Sequence, residues 1–154
     1  MTTSNPLQLD RQLCFAIYAC SREITKLYRP LLQDLGLTYT QYVTMLALWE
    51  EDHVTVNALG HRLHLDSGTL TPLLKKLEAA GWIVRARDKQ DERSVVITLT
   101  DSGTALREKA VSIPYKLACQ LNATPEEGAA LLDQVHTLLD RMRKAPDSDS
   151  SDHR

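Results

Sequence analysis

The stretch from residue 55 to residue 99 constrains the fold of this chain more than any other. It begins with two short segments in direct succession, "TVNALGHRLHL" and "DSGTLTPLLKKLEAAGWI". The first has Leu59 and Leu63 four residues apart, on one face of a helix. In the second, Asp66 is placed to cap a helix with a leucine stripe, and Gly81 is placed to end it. Two helices joined this tightly predict a helix-turn-helix.

The residues that follow predict a β-hairpin. The segment "WIVRAR" is predicted as a strand, "DKQDER" as a polar turn, and "SVVITLT", which is rich in β-branched residues, as the returning strand. A helix-turn-helix followed directly by a hairpin has the order of a winged helix-turn-helix. We therefore predict a mainly α-helical fold with a small β-hairpin, in which the second helix enters a DNA major groove and the hairpin reaches the neighbouring minor groove or backbone.

Further helices are predicted on both sides of this unit. Residues 8–29 form a helix that is apolar on nearly every side from Leu13 to Cys20, so it needs more covering protein than one small domain provides. We expect a break or kink at Pro30, because a proline inside a helix loses a hydrogen bond. A long helix capped by Thr124 carries another apolar stripe near the end of the chain. The first of these helices indicates a subunit interface.

The charge distribution fits a partner that carries phosphates. The formal net charge is −2, but residues 60–93 contain seven Lys/Arg and five Asp/Glu, a local +2 that leaves −4 for the remainder. Hydroxyl side chains at a helix start permit close approach to bases, lysines suit phosphates, and an arginine at a hairpin tip suits a minor groove. Each lysine taken singly fits an ordinary solvated face equally well. The candidate DNA contacts are Ser67, Thr69, Thr71, Lys75, Lys76, Lys89 and Arg93.

One long segment also resembles a known family. "LDSGTLTPLLKKLEAAGWIVRARDKQDERSVVITLTDSG" resembles the MarR family of winged-helix regulators, for which the "DERSV" segment is characteristic. Asp91 and Arg93 match the family's Asp-x-Arg pair, in which the Asp orients the Arg at the wing tip. With "QLCFAIYA" and the tyrosines at 28 and 39, the chain is similar to the organic hydroperoxide resistance regulators (OhrR type) over about residues 7–143. The resemblance implies an obligate homodimer with interleaved terminal helices, a transcriptional repressor, and double-stranded operator DNA as its partner.

With this resemblance the chain divides into four parts. We expect an N-terminal dimerisation helix with the sensor cysteine (1–36), a winged helix-turn-helix (37–100), C-terminal dimerisation helices (101–144) and a disordered tail (145–154). The sequence shows no signal peptide and no apolar run long enough to cross a bilayer, so we expect a cytoplasmic protein without membrane contact. In that compartment thiols stay reduced unless they have a redox task, and an odd cysteine count argues against structural disulfides.

The three cysteines are open to several interpretations on the residues alone. Cys14, Cys20 and Cys119 fit small hydrophobes, metal ligands, a nucleophile or a redox sensor. Six residues separate the first two, which places them about 120° apart around one helix, so they do not share a metal ion. His61 and His64 have no accompanying carboxylate or cysteine cluster. We expect no metal site and no cofactor.

The resemblance gives two of these cysteines a role. It implies that Cys14 is the peroxidatic thiol, that Tyr28 and Tyr39 hydrogen-bond its thiolate from the partner subunit, and that Cys119 is the resolving cysteine of the two-cysteine members. Phe15 and Tyr18 are expected to line the same pocket, whose apolar wall suits an organic hydroperoxide as inducer. An intersubunit disulfide would then move the two winged domains apart and release DNA. Cys20 is interpreted as a packing residue.

Two other functions compete with this hypothesis. Other MarR relatives respond to a non-covalent aromatic or phenolic ligand held between the dimerisation and winged domains, without any thiol chemistry. A thiol peroxidase shares the cysteine chemistry but has no need of a DNA-binding wing. The winged helix-turn-helix therefore favours a regulator, and we predict that the chain is not an enzyme.

Overall fold

The computed structural model describes residues 5–145, so residues 146–154 of the predicted tail lie outside the described residues. The helices are α1 (Leu13–Leu32), α2 (Tyr39–Glu50), α3 (Val56–Leu63), α4 (Ser67–Ala79), α5 (Asp101–Ala110), α6 (Ile113–Leu121) and α7 (Pro125–Lys144). The strands are β1 (Val54–Thr55), β2 (Ile83–Arg87) and β3 (Val95–Leu99). The chain forms two compact units, one up to Leu117 and one from Ala118. The predicted fold class, mainly helical with a winged helix-turn-helix, is confirmed.

The helix-turn-helix and the wing form from local signals. The Asp66 side chain caps α4, and the Thr55 hydroxyl caps α3 by accepting a hydrogen bond from the Ala58 backbone N–H at 3.1 Å. Gly81, with a φ of 84°, follows α4 in the left-handed conformation that glycine adopts without strain. These caps fix where each helix starts and stops. Helix α4, the second or recognition helix of the helix-turn-helix, therefore runs directly into the first strand of the hairpin.

The sheet has one strand more than the sequence predicted. Its order is β1-β3-β2, with antiparallel pairing from Ile83 opposite Leu99 to Arg87 opposite Val95 in the hairpin. The added strand, β1, has two residues and pairs Val54 with Ile97. The hairpin is therefore anchored to the segment before α3 on one side, while β2 forms the opposite edge of the sheet.

A single apolar core holds the winged unit together. The leucine stripe of α4 is buried at Leu70, Leu74 and Leu77, and the sheet contributes Ile83 and Ile97. Further core residues come from the C-terminal end of α1, from α2 and from α5: Leu32, Met45, Leu48 and Leu106. Full burial of each such side chain contributes about 1.5–3 kcal/mol. The core therefore fixes the recognition helix against the wing.

A close approach joins α5 to the residue before β2. A Cβ atom on Gly103 would lie 2.0 Å from the backbone oxygen of Trp82, a distance that excludes any side chain there. The Trp49 indole N–H donates a hydrogen bond to the Gly103 carbonyl at 2.9 Å. Glycine at this position lets α2, α5 and the wing meet in one place.

The two terminal helices, α1 and α7, are much less buried than this core. The N-terminal turns of α1 are exposed, and within Leu13–Leu32 burial is confined to Leu32. The helix continues through Pro30, so of the expected break or kink the break is wrong; full burial of Leu32 anchors the last turn. None of the residues in Pro125–Lys144 is buried, although α7 has the predicted cap at Thr124 and an apolar stripe. Within the described residues, no helix combines the length and apolar content of a membrane span.

Candidate DNA interface and thiol site

The surface of α4 begins at a capped N-terminus. The Asp66 carboxylate accepts a hydrogen bond from the Thr69 backbone N–H at 2.7 Å, and this bond is the main cause that lowers the pKa of the carboxyl group. The helix presents hydroxyl groups near this end and ammonium groups farther along. The predicted contact residues all reach the surface of the helix: Ser67, Thr69, Lys75 and Lys76 are exposed and Thr71 is half-buried.

The wing tip is ordered by hydrogen bonds within its own turn. The Asp91 carboxylate accepts hydrogen bonds from the Arg93 backbone N–H at 3.1 Å and from the Ser94 hydroxyl at 3.2 Å. The Arg87 guanidinium donates to the Glu92 carbonyl at 2.9 Å. Asp91 thus holds the Arg93 backbone. Within the described residues, the Asp91 carboxylate forms no ion pair with the Arg93 guanidinium. Lys89 is also exposed on this turn.

A groove of about 230 Å³ lies between the recognition helix and the wing. Thr71 of α4 and Arg93 of the wing, both predicted contacts, line it together with Asn57 at the start of α3. Arg85 of β2 also lines it, and sequence reasoning missed this residue. The groove therefore combines hydroxyl, amide and guanidinium groups, which suit the edges and backbone of a nucleic acid.

Glu78, near the C-terminal end of α4, is bound to Arg85. One Glu78 carboxylate oxygen accepts the Arg85 backbone N–H at 2.8 Å, and the other accepts Nε at 3.2 Å and Nη2 at 3.1 Å. The backbone hydrogen bond is the main cause that lowers the pKa of Glu78, followed by the side-chain hydrogen bond. A single carboxylate therefore fixes both the strand and its arginine.

Cys14 lies in the first turn of α1. Its thiol, the Phe15 ring and the Tyr18 ring are all exposed. The Arg22 guanidinium lies over the Tyr18 ring, 5.6 Å from the centroid, in a cation–π arrangement. The thiol is thus accessible beside aromatic side chains of its own helix.

The tyrosines predicted to bind the thiolate lie together at the other end of α1. The ring centroids of Tyr28 and Tyr39 are 4.8 Å apart, and those of Tyr28 and Tyr42 are 5.6 Å apart. Burial, with smaller contributions from Tyr42 and Tyr39, raises the pKa of Tyr28 to about 12. Tyr28 therefore keeps its proton at neutral pH and remains a hydrogen-bond donor. Sequence reasoning missed Tyr42 because its burial in α2 depends on tertiary packing.

The cysteine and the tyrosine cluster do not meet within one chain. Cys14 and Tyr28 belong to the same helix and are 14 residues apart. At 1.5 Å per residue the two positions are roughly 21 Å apart along the helix axis. A hydrogen bond between the Tyr28 hydroxyl and a Cys14 sulfur therefore requires two chains.

The other two cysteines are also free and exposed. Cys119 lies in α6 and belongs to the second compact unit, whereas Cys14 belongs to the first. The expectation that Cys20 packs as a buried hydrophobe is not met within the protomer, because this side chain is exposed too. Residues 5–145 contain no group of three or more His, Cys, Asp or Glu side chains arranged to hold a metal ion.

A separate apolar cavity of about 200 Å³ lies between α2 and α5. Its lining is aromatic and aliphatic, with Glu50 and Arg107 as the charged groups. The lining residues on α2 include Tyr42, which also contacts the ring of Tyr28. The cavity is large enough for a small aromatic molecule.

The sequence matches known regulators over most of its length. Residues 26–110 match the family model described as transcriptional regulator SarA/Rot. The chain is 47% identical over 138 residues to the organic hydroperoxide resistance transcriptional regulator of Bacillus subtilis (strain 168), covering 90% of this chain and 94% of the relative.

Two solved structures are similar in fold and sequence. Reduced AbfR bound to DNA superposes with a TM-score of 0.73 at 36% identity, covering 89% of this chain and 96% of the other. AbfR, a protein of Staphylococcus epidermidis, has also been solved with its disulfide formed. That structure has a TM-score of 0.61 at 38% identity, over 85% of this chain and 92% of the other.

Proposed function

The chain belongs to the SarA/Rot/MarR family of winged-helix transcriptional regulators, and from that premise we propose that it is a dimeric repressor released from operator DNA by organic hydroperoxides. Exposure of the Cys14 thiol beside Phe15 and Tyr18 is the observation that carries the sensing step. A thiol reacts with peroxides only when it is accessible. The proposal has three parts, which are DNA binding, sensing and release.

DNA binding uses the surface of α4 and the wing. Ser67, Thr69 and Thr71 contact the major groove, and Lys75 and Lys76 contact phosphates. In the wing, Asp91 orders the turn through the Arg93 backbone, so that Arg93 and Lys89 reach the neighbouring minor groove and backbone. The ordered tip and the surface position of these side chains support this assignment, as does a relative solved on DNA.

Sensing begins with nucleophilic attack by the Cys14 thiolate on one oxygen of the hydroperoxide. The O–O bond breaks, and the departing alkoxide takes up a proton and leaves as an alcohol. The sulfur is oxidised to a sulfenic acid while the peroxide is reduced. Before the reaction, Tyr28 and Tyr39 of the partner subunit donate hydrogen bonds that favour the thiolate. The helix length that separates Cys14 from Tyr28 in one chain supports this intersubunit arrangement.

Release follows from a second thiol. Cys119 of the partner subunit attacks the sulfenic sulfur of Cys14, a disulfide forms, and hydroxide leaves and is protonated to water. The covalent link changes the spacing of the two winged domains, so that they no longer match successive major grooves. The exposure of both thiols and the disulfide form of AbfR support this step. Reduction by thiols restores binding.

A DNA-binding titration with and without cumene hydroperoxide tests the proposal. The wild-type protein should release DNA on oxidation, and Cys14→Ser should stay bound. Cys119→Ser should still form the sulfenic acid, detected by mass spectrometry, but should give no disulfide-linked dimer on a non-reducing gel. Cys20→Ser is the matched control and should behave as wild type. Release of Cys14→Ser by the peroxide would contradict the sensing role of Cys14.

The apolar cavity between α2 and α5 favours a second candidate function. Its Tyr42, Trp49 and Leu46 side chains suit an aromatic ring. The Arg107 guanidinium suits a carboxylate, because the other charged group of the lining, Glu50, is paired with Arg62. Benzoate and related acids would then weaken DNA binding in both wild type and Cys14→Ser. The first proposal expects no such response, so this titration separates thiol sensing from non-covalent sensing.

A further inference from the structure

Arg85, which lines the groove between the recognition helix and the wing, is paired with Glu78 near the C-terminal end of α4. Both carboxylate oxygens of Glu78 are used, one by the Arg85 backbone N–H and one by two guanidinium nitrogens. The two side chains are partly exposed, at 36% and 26%. The ion pair is therefore accessible to solvent and to any ligand that enters the groove.

Arg85 lies next to two residues that are proposed to contact DNA. Arg85 lines the groove with Thr71 of α4 and Arg93 of the wing, which are proposed DNA contacts. A DNA backbone that reaches those two residues also passes Arg85. An unpaired guanidinium there would attract any phosphate, whatever the base sequence.

Glu78 acts on Arg85 in two ways, through the guanidinium and through the backbone. The two hydrogen bonds from the guanidinium to one Glu78 carboxylate oxygen direct the Arg85 side chain toward α4, and the charge of the carboxylate offsets that of the guanidinium locally. The bond to the Arg85 backbone N–H ties the strand that starts the wing to the helix that reads the bases. The angle between helix and wing is thus set by the same carboxylate.

We propose that Glu78 is a specificity-determining residue of the DNA interface, because it holds Arg85 away from phosphates and fixes the wing against α4. The inference rests on the proposed DNA-binding function. It assigns to Glu78 an effect on DNA selectivity that a solvated surface carboxylate does not have. Loss of Glu78 turns Arg85 into a phosphate contact that does not depend on sequence.

Binding to two duplexes over a range of salt concentrations tests this inference. The specific duplex is one selected by the wild-type protein from a random-sequence library, and the nonspecific duplex is its scrambled version. The variants are Glu78→Gln, Arg85→Ala and the double variant with both changes. Glu108→Gln is the matched control, since Glu108 is exposed on α5 and its substitution changes the net charge equally. Thermal melts of each variant check the fold.

Glu78→Gln should bind the scrambled duplex more tightly and discriminate less between the two duplexes. Its salt dependence should steepen by about 0.9 per protomer and so by about 1.8 for the dimer, which is about a 12-fold larger loss of affinity between 50 and 200 mM salt. Arg85→Ala and the double variant should keep the wild-type slope. Equal slopes for Glu78→Gln and Glu108→Gln, or a steep slope in the double variant, would overturn the role of Glu78. If the wild-type protein enriches no sequence from the library, the proposed repressor function fails instead, and a duplex of arbitrary sequence still reports on Glu78.

Discussion

Helices α4 and α7 have the same kind of sequence pattern and opposite surroundings. Each has an N-cap and an apolar stripe. In α4 the stripe is covered, and Leu74 is 1% exposed; in α7 Leu131 is 62% exposed. A helix in a protein gains most of its stability from packing such a stripe, so α7 needs a covering surface as much as α4 does. The pattern shows that a helix has a partner, but not which chain supplies it.

The same contrast runs through α1. Its C-terminal end belongs to the core through Leu32, while Leu13 and Phe15 near its other end are exposed. The predicted sensor cysteine lies in the exposed part and the tyrosine cluster lies near the buried end. In our proposal a second chain covers both α7 and the exposed turns of α1.

Leu74→Ala should destabilise the winged unit strongly. The side chain is fully packed, and truncation of such a leucine leaves a cavity that costs about 2–5 kcal/mol of the free energy of unfolding. Urea denaturation followed by circular dichroism measures the loss. The loss should not vary with protein concentration, because the contacts of Leu74 lie within one chain. A cost below that of an exposed substitution would show that the α4 stripe is not the centre of the core.

Leu131→Glu should act on the assembly instead. A charge placed in a face that a second chain covers weakens the dimer by about 2 kcal/mol, which is roughly a 30-fold increase in its dissociation constant. Sedimentation velocity over a dilution series measures this constant. Gln134→Glu, at an exposed polar position of the same helix, is the control and should leave the dimer intact. An unchanged dissociation constant for Leu131→Glu would mean that α7 does not contribute this face to the dimer.

The two capping boxes allow a closer comparison. Thr38 caps α2 and Thr124 caps α7 by the same reciprocal hydrogen bonds with the residue three positions later. Replacement of either threonine by alanine should cost about 1 kcal/mol. For Thr38→Ala the cost should appear in the unfolding of the winged unit at every protein concentration. For Thr124→Ala it should appear in hydrogen exchange of α7 and diminish as the dimer forms; equal behaviour of both variants would remove the distinction.

The smallest expected effect concerns Tyr28, near the boundary between the two regions of α1. Because its pKa is raised from 10 to about 12, the unfolded chain loses this proton before the folded chain does. The stabilisation that depends on the neutral phenol is thus complete below pH 10 and is lost as the pH rises toward 12. The free energy of unfolding of the wild type should decline more steeply in this range than that of Tyr28→Phe. Parallel curves would show that the phenol is not perturbed by burial.

Local signals explain which parts of the fold were predictable. The helix-turn-helix, the hairpin and the caps at Asp66 and Thr124 are specified by residues a few positions apart, and all of them are observed. Strand β1 was missed because two residues give no periodicity, and it exists only through its pairing with β3. Pro30 was expected to break or kink α1, but the helix does not break there, since packing of Leu32 keeps the last turn helical.

In the candidate site too, positions within one helix were predictable and contacts between elements were not. The surface positions of Cys14 and of the predicted DNA contacts on α4 follow from helical spacing and from family resemblance. The Glu78–Arg85 pair was not visible in the sequence, since it joins a helix end to a strand edge across a turn. Tyr42 was missed for a related reason, because the ring that contacts it, Tyr28, belongs to another helix, α1. Sequence spacing identifies residues on one element, while contacts between elements require the fold.

The position of β2 at the edge of the sheet has one more consequence. A strand at an edge has backbone donors and acceptors that another polypeptide can pair with, which is a common route to aggregation. In β2 the backbone N–H of Arg85 is already occupied by the Glu78 carboxylate. In the proposed dimer the apolar faces of the terminal helices become exposed whenever the two chains dissociate, and an open sheet edge would add a second surface that promotes aggregation. The carboxylate at the end of α4 thus also helps to keep the free protomer from polymerising through its wing.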